Sequence, residues 1–167
     1  MNTVLIKSKA RVRDRGEVFT AAREVNAMLD LLPENVFSDP LATFLEPACG
    51  TGNFLVAILA RKLAHDDGAD CQYSAKCMSS LYGVDIADDN VLETRARLMT
   101  ILAAHASQDL TPHQVGTLRG IVDTNIVVGN FLTAGVDGLG LHRWDWSKPF
   151  AVAWPIEADA GGVGVGL

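Results

Sequence analysis

The stretch Phe44-Leu45-Glu46-Pro47-Ala48-Cys49-Gly50-Thr51-Gly52-Asn53-Phe54 constrains the fold more than any other part of the chain, because an apolar strand runs into an acidic residue, a glycine turn and then a helix. Glycine at 50 and 52 admits φ values closed to other residues, and the missing side chains let a ligand lie against the main chain. Three readings of the loop compete. A phosphate-cradling P-loop needs Lys and then Ser or Thr after its last glycine, and Asn53 and Phe54 stand there instead. A dinucleotide fingerprint wants a third glycine for close helix–strand packing, and Ala57 is the only small residue nearby. A diphosphate also fits poorly beside Glu46. An acidic residue at a strand end, beside glycines and without a phosphate-binding lysine, suits a ligand with positive charge and ribose hydroxyls, and S-adenosylmethionine is such a ligand. Two lone glycines more often just close a turn, but the whole string favours the pocket.

The next apolar strand, Leu81-Tyr82-Gly83-Val84-Asp85-Ile86, also ends in a carboxylate. Ligands of open α/β sheets lie outside the carboxyl ends of the strands, where an acid on the second strand accepts from both ribose hydroxyls. Asp85 is therefore predicted to face the ribose. Capping of the helical run Val91 to Ala106 falls to Asp88 or Asp89.

Periodicity predicts a helix from Ala21 to Leu32, with Val25, Met28, Leu29 and Leu32 at helical spacing and Pro33 ending it. Strand one is read at Thr43 to Glu46, and a helix at Asn53 to His65 with Leu55, Ile58, Leu59 and Leu63 on one face. Asp66 to Ser80 reads as a polar connection with at most a helical turn. A short helix starts at Thr111-Pro112, and strand three covers Thr124 to Val128. This alternation implies a parallel α/β sheet.

Four pieces now stand in a telling order: Gly16-Glu17-Val18-Phe19-Thr20, the Glu46 to Phe54 loop, Tyr82-Gly83-Val84-Asp85-Ile86, and Asn125-Ile126-Val127-Val128-Gly129-Asn130-Phe131-Leu132. Across roughly residues 11 to 153 the chain resembles N6-adenine DNA methyltransferases of restriction-modification and phage type. The resemblance implies a Rossmann-like, class I S-adenosylmethionine-dependent methyltransferase fold. It places Phe19 and Thr20 on the cofactor. Glu46, Pro47, Ala48, Cys49, Gly50, Gly52, Asn53 and Phe54 form the loop that holds the methionine part. Asp85 and Ile86 take the ribose and the adenine face, and Asn130 and Phe131 the adenine edge. Ala21 follows Thr20 where the family usually has Pro, and Asn130 stands where it usually has Asp, although an amide oxygen can still accept.

The family's catalytic Asn/Asp-Pro-Pro-aromatic tetrapeptide, which accepts the protons of the adenine amine and stacks on the flipped base, is absent from the sequence. No catalytic residue is therefore assigned. The apparent fourth strand, Pro149-Phe150-Ala151-Val152-Ala153-Trp154, is followed by Pro155-Ile156-Glu157-Ala158-Asp159, and Ser147-Lys148-Pro149-Phe150 has only a superficial likeness to the motif. The glycine-valine tail Ala160 to Leu167 is expected to be disordered. A coding sequence interrupted or shifted near residue 151 and a genuine short variant with a flexible tail both account for it. The expected organisation is an arm at 1–20 with the first cofactor motif, a Rossmann-like domain at 21–154 truncated after its fourth strand, and a tail at 155–167. The complete enzyme would methylate adenine in DNA, and this chain alone is expected to be inactive, with a second polypeptide supplying the catalytic and target-reading parts. The alternatives are a noncatalytic S-adenosylmethionine-binding or partner-binding module, and a methyltransferase acting on RNA or a small molecule.

Composition limits the partners. The formal net charge of −6 disfavours strong independent DNA binding. Lys7, Lys9, Arg11, Arg13 and Arg15 alternate and would share one side of an extended, solvated arm. No run approaches the roughly 18 apolar residues of a membrane span, and Lys7 and Lys9 are not followed by a signal-peptide core, so a cytoplasmic location is expected. Cys49, Cys71 and Cys77 lack zinc-site or disulfide-framework spacing, and the four histidines are scattered, so no metal is predicted. Trp144-Asp145-Trp146 is read as cover for the sheet edge or core rather than as a base-stacking pair.

Overall fold

The computed structural model describes residues 6–66, 71–106, 109–147 and 152–155. Its elements run α1 (Lys9–Arg15), α2 (Ala22–Leu29), α3 (Asn35–Ser38), β1 (Phe44–Glu46), α4 (Asn53–Leu63), α5 (Cys71–Ser79), β2 (Leu81–Asp85), α6 (Asp88–His105), α7 (Pro112–Asn125), β3 (Ile126–Val128), α8 (Phe131–Gly138), β4 (His142–Asp145) and β5 (Val152–Pro155). The protein is α/β, with a three-stranded parallel sheet in the order β1-β2-β3. Phe44 lies opposite Leu81, and Gly83 opposite Ile126. Central β2 is buried along its whole length.

Strand pleating sends successive side chains to opposite faces, and this divides the core. Leu81 joins Leu55, Ile58, Leu59, Leu98, Leu118 and Ile126 under helices α4 to α7. Tyr82 and Val84 join Leu141 on the other face, where Leu45, Val127, Phe131, Val136 and Leu139 pack against them.

Several local expectations are corrected. Helix α2 ends at Leu29, because Leu31 and Leu32 donate to Met28 and Leu29 in tight turns before Pro33 is reached. The supposed polar connection holds the nine-residue helix α5, with Ser74, Ala75, Cys77, Met78 and Ser79 buried. The Ser79 and Ser80 hydroxyls donate to the carbonyls of Lys76 and Cys77, which removes the cost of burying them. Helix α6 starts at Asp88 rather than Val91, and its N-cap is Ala87, so Asp88 and Asp89 lie in the first turn instead of capping it. Helix α7 is long, fourteen residues, and absorbs the expected start of strand three. It opens with a capping box, in which the Thr111 hydroxyl accepts from the Gln114 backbone and the Gln114 side chain from the Thr111 backbone.

The largest correction is the fourth strand. Val152–Pro155 pairs antiparallel with His142–Asp145 in a separate two-stranded sheet and does not extend the parallel one. Trp144 and Trp146 of that region pack against the core, as read from the sequence. Their indole N–H groups donate to Asn125 Oδ1 and Ser79 Oγ at 2.9 Å each. The glycine-valine tail and most of Ser147-Lys148-Pro149-Phe150 lie outside the described residues.

Lys62 is fully buried at the end of α4. Its Nζ donates to the carbonyls of Asp39, Pro40 and Ala42 at 2.8, 3.3 and 2.8 Å, tying down the chain that leads into β1. Burial pushes its pKa down to about 8, which keeps it mostly cationic at neutral pH. Lys62→Met would strand three carbonyls, and a loss of about 2–4 kcal/mol in urea unfolding is the expected outcome.

Candidate functional site

The glycine loop is built by cross-bonds to its neighbours. Cys49 N–H donates to Val84 O at 2.8 Å, which ties the start of the turn to β2. Gly50 and Gly52 take φ of +54° and +81°, in the left-handed region that favours glycine. Thr94 of α6 donates to Gly50 O at 3.0 Å, and Arg97 donates to Thr51 O and to Asn53 Oδ1. A Cβ at Gly50 would lie 3.2 Å from the Phe19 ring, and one at Gly52 only 2.6 Å from Thr94 Cγ2.

A cleft of about 660 Å³ opens at the carboxyl ends of β1, β2 and β3. Its walls come from all four sequence pieces: Gly16 to Thr20, Glu46 to Thr51 with Asn53 and Phe54, Asp85 and Ile86, and Asn130 to Leu132. Every residue predicted for the cofactor lines it except Gly52, whose missing side chain instead makes room for Thr94. Gly16, Glu17, Val18, Thr51 and Leu132 also line it. They lie within the same sequence pieces, but the resemblance gives none of them a cofactor role of its own.

The wall carries three carboxylates, Glu17, Glu46 and Asp85, and no lysine, arginine or histidine is among its described lining residues. Burial raises the Glu46 pKa to about 7. Burial, with the carboxylates of Asp85 and Glu46, pushes the Cys49 thiol up to about 12, far from the thiolate a nucleophile needs. Val18, Ile86 and Leu132 are exposed large apolar side chains on the same wall, Leu132 at 95% exposure. Such a wall disfavours phosphates and accommodates a neutral or cationic ligand with a flat apolar part.

Asp85 is more occupied than the sequence implied. Its Oδ2 accepts from Gly50 N–H at 2.9 Å, and its Oδ1 from Ala87 N–H at 2.9 Å and from Asn90 Nδ2 at 3.1 Å. It thus orients both the glycine loop and the start of α6. A carboxylate has about four lone-pair sites, so capacity for a ligand hydroxyl remains. Asn130 caps α8, its Oδ1 accepting from Leu132 N–H at 3.1 Å.

The N-terminal segment is no extended solvated arm. Residues Lys9 to Arg15 form α1, and both Arg11 within it and Lys7, just before its N-cap Ser8, meet α6. Lys7 pairs with Asp89 and Glu93 at 3.0 Å each, and Arg11 with Asp89 at 2.7 Å and Glu17 at 2.6 Å. Hydrogen bonds from Arg11 and Lys7 hold the Asp89 carboxyl well below its usual range. Asn53 Nδ2 donates to Thr20 O at 2.8 Å and fastens the other end of the segment beside the loop.

Among the described residues no group of His, Cys, Asp and Glu is arranged to hold a metal ion, and no helix is long and apolar enough to cross a membrane. No family model, curated protein or solved structure matches the chain.

Proposed function

We propose that the cleft binds S-adenosylmethionine and that the chain is the cofactor-binding part of an N6-adenine DNA methyltransferase with a Rossmann-like, class I architecture. The observation that carries this reading is the convergence of four sequence pieces, spread from Gly16 to Leu132, on one acidic, cation-free cleft at the strand ends. Glu46 faces the cationic methionine end, Asp85 the ribose, and Ile86 and Phe131 the adenine. The phosphates of ATP or a dinucleotide would meet three carboxylates instead of a lysine.

Transfer to adenine needs acceptors for the amine protons and an aromatic under the flipped base. No Asn/Asp-Pro-Pro-aromatic tetrapeptide occurs in the sequence. The antiparallel pairing of β5 with β4 favours the second reading, a noncatalytic cofactor-binding module, since that strand is not the fourth parallel strand that the family's catalytic tetrapeptide follows. Both readings share the cofactor and differ in whether DNA and a second polypeptide are the partners. Methylation of unmethylated DNA would therefore require groups supplied in trans.

The pH dependence of binding tests the Glu46 assignment. The α-ammonium of the amino-acid end, which S-adenosylhomocysteine shares with S-adenosylmethionine, favours the ionised carboxylate, whose pKa burial raises to about 7. Affinity for S-adenosylhomocysteine is therefore expected to rise about tenfold between pH 5.5 and 7.5. The folded pKa lies above the unfolded value, so Glu46 adds stability that is present below pH 4.5 and lost as pH rises through 7. The ligand should offset that loss. Calorimetry across this range should give a flat profile for Glu46→Gln, and a flat profile for the unaltered protein would remove Glu46 from the site.

A further inference from the structure

Asn90 is fully buried in the first turn of α6, and its side chain reaches three separate parts of the chain. Its Nδ2 donates to Asp85 Oδ1 at 3.1 Å and to Glu17 Oε2 at 3.0 Å, while its Oδ1 accepts from Lys7 Nζ at 2.8 Å. Asp85 in turn holds Gly50 N–H. A hydrogen-bonded path therefore runs from the glycine loop through Asp85 and Asn90 to Glu17, joining the strand-end wall of the cleft to the N-terminal segment that forms another part of its lining.

Only an amide suits this position. It must donate to two carboxylates and accept from an ammonium at once, and Asn has both functions in one planar group. A carboxylate of the same shape would put a third negative charge between Glu17 and Asp85 with nothing to donate. An alkyl side chain would leave two buried carboxylate oxygens short of a donor. Helix α1, seven residues long, is too short to persist without docking. The Lys7 and Arg11 pairs hold its outer side to Asp89 and Glu93, where Asp89 is about half exposed and open to screening by salt. Arg11 of α1 also pairs with Glu17, and the fully buried Asn90 bonds the residues on both flanks of the helix, Lys7 and Glu17, and ties them to Asp85.

We propose that Asn90 is a positioning residue that locks the segment from Lys7 to Thr20 onto Asp85, so that the two walls of the cleft are held as one unit. For its ligand arm the proposal rests on the reading of the cleft as an S-adenosylmethionine site. Its structural arm does not depend on that reading.

The test compares the unaltered protein with Asn90→Asp, and with Asn90→Asp combined with Glu17→Gln, which returns an amide donor to the 17–90 contact. Hydrogen exchange without ligand is read at Val12, Gly16 and Glu17, whose N–H groups donate to Ser8, Val12 and Arg11 carbonyls. In Asn90→Asp these amides should exchange at least about tenfold faster, while the buried stretch of α7 around Leu118 to Val122 is unchanged. The Kd for S-adenosylhomocysteine should rise about tenfold, and the double variant, which restores the donor at one of the two carboxylate contacts, should recover part of both effects. Should exchange quicken in α7 as well, Glu17→Leu carries the test beside Arg11→Met, which removes the Arg11–Glu17 pair but not the Asn90 contact. Glu17→Leu should loosen residues 12–17 and raise the Kd beyond what Arg11→Met does, and equal effects overturn the proposal. Unaltered exchange at residues 12–17 overturns the proposal whether or not the ligand binds. So does a loosened segment with unchanged affinity, or a double variant no better than the single one. If the unaltered protein binds no S-adenosylhomocysteine, the cofactor reading fails and the exchange result alone decides the role of Asn90.

Discussion

Gly52→Val is expected to abolish ligand binding in the cleft and to cost the fold about 3–5 kcal/mol. Two effects add. The residue sits at φ +81°, where a β-branched side chain is strained. Its Cβ would also fall 2.6 Å from Thr94 Cγ2 and 3.1 Å from Thr94 Cβ, too close to the root of that side chain for a rotamer change to relieve. Thr94 is itself buried and donates to Gly50 O, so pushing it aside releases the loop. The damage reaches the ligand by displacing the turn, since Gly52 does not line the cleft. Gly52→Ala combined with Thr94→Ala removes the contacts to Cγ2 and Oγ1 and should recover part of the stability, whereas Thr94→Ala alone should cost about 1–2 kcal/mol, since it leaves Gly50 O without its donor. Thermal unfolding with parallel calorimetry measures both consequences. Retained binding in a folded Gly52→Val protein would reduce the loop to an ordinary turn.

Asp85→Ala carries the second large effect. It strands the N–H groups of Gly50 and Ala87 and one side of the Asn90 amide, and a stability loss of about 3 kcal/mol is expected, because bonds to a charged acceptor are worth more than neutral ones. Binding should weaken by a further ~1.5–3 kcal/mol if the same carboxylate holds the ribose. Asp85→Asn separates the two roles. It keeps an acceptor oxygen for one side while losing the charge, so it should retain more of the stability than of the affinity. Equal affinity for adenosine-containing and ribose-modified ligands in the unaltered protein would withdraw the ribose assignment and leave Asp85 as the brace of the glycine loop.

The glycine loop and the two acids were legible in the sequence because their constraints are local: Gly50, Gly52, Glu46 and Asp85 announce a turn and a strand end within a few residues. The assembly of the cleft was legible only through the order of the four pieces. Helix α5 was hidden because Cys71–Ser79 is polar by composition, and Ser79 and the following Ser80 become tolerable inside through hydrogen bonds to the carbonyls of Lys76 and Cys77. The basic run from Lys7 to Arg15 carries two periods at once. Alternation suggests an extended arm, while Lys9 to Arg15 winds into a helix, and the carboxylates of Glu17, Asp89 and Glu93 that pair with Lys7 and Arg11 hold it. The strand at Val152–Pro155 was foreseen, but strand propensity does not name a partner, and the antiparallel pairing with His142–Asp145 follows from tertiary proximity. Asn90 looked like one more polar residue at a helix start, and its role depends on Glu17, 73 positions away.

Calorimetric titration of the folded protein with S-adenosylhomocysteine, beside ATP and an oxidised nicotinamide dinucleotide, tests the central claim most directly. Saturable binding of S-adenosylhomocysteine at one site is expected, at least about tenfold tighter than either phosphate-bearing ligand, because Glu46 and Asp85 repel phosphates, Arg11 is already paired with Glu17, and no lysine, arginine or histidine is among the described lining residues. Absence of binding by a protein shown to be folded, or tighter binding of ATP or the dinucleotide, would contradict the claim.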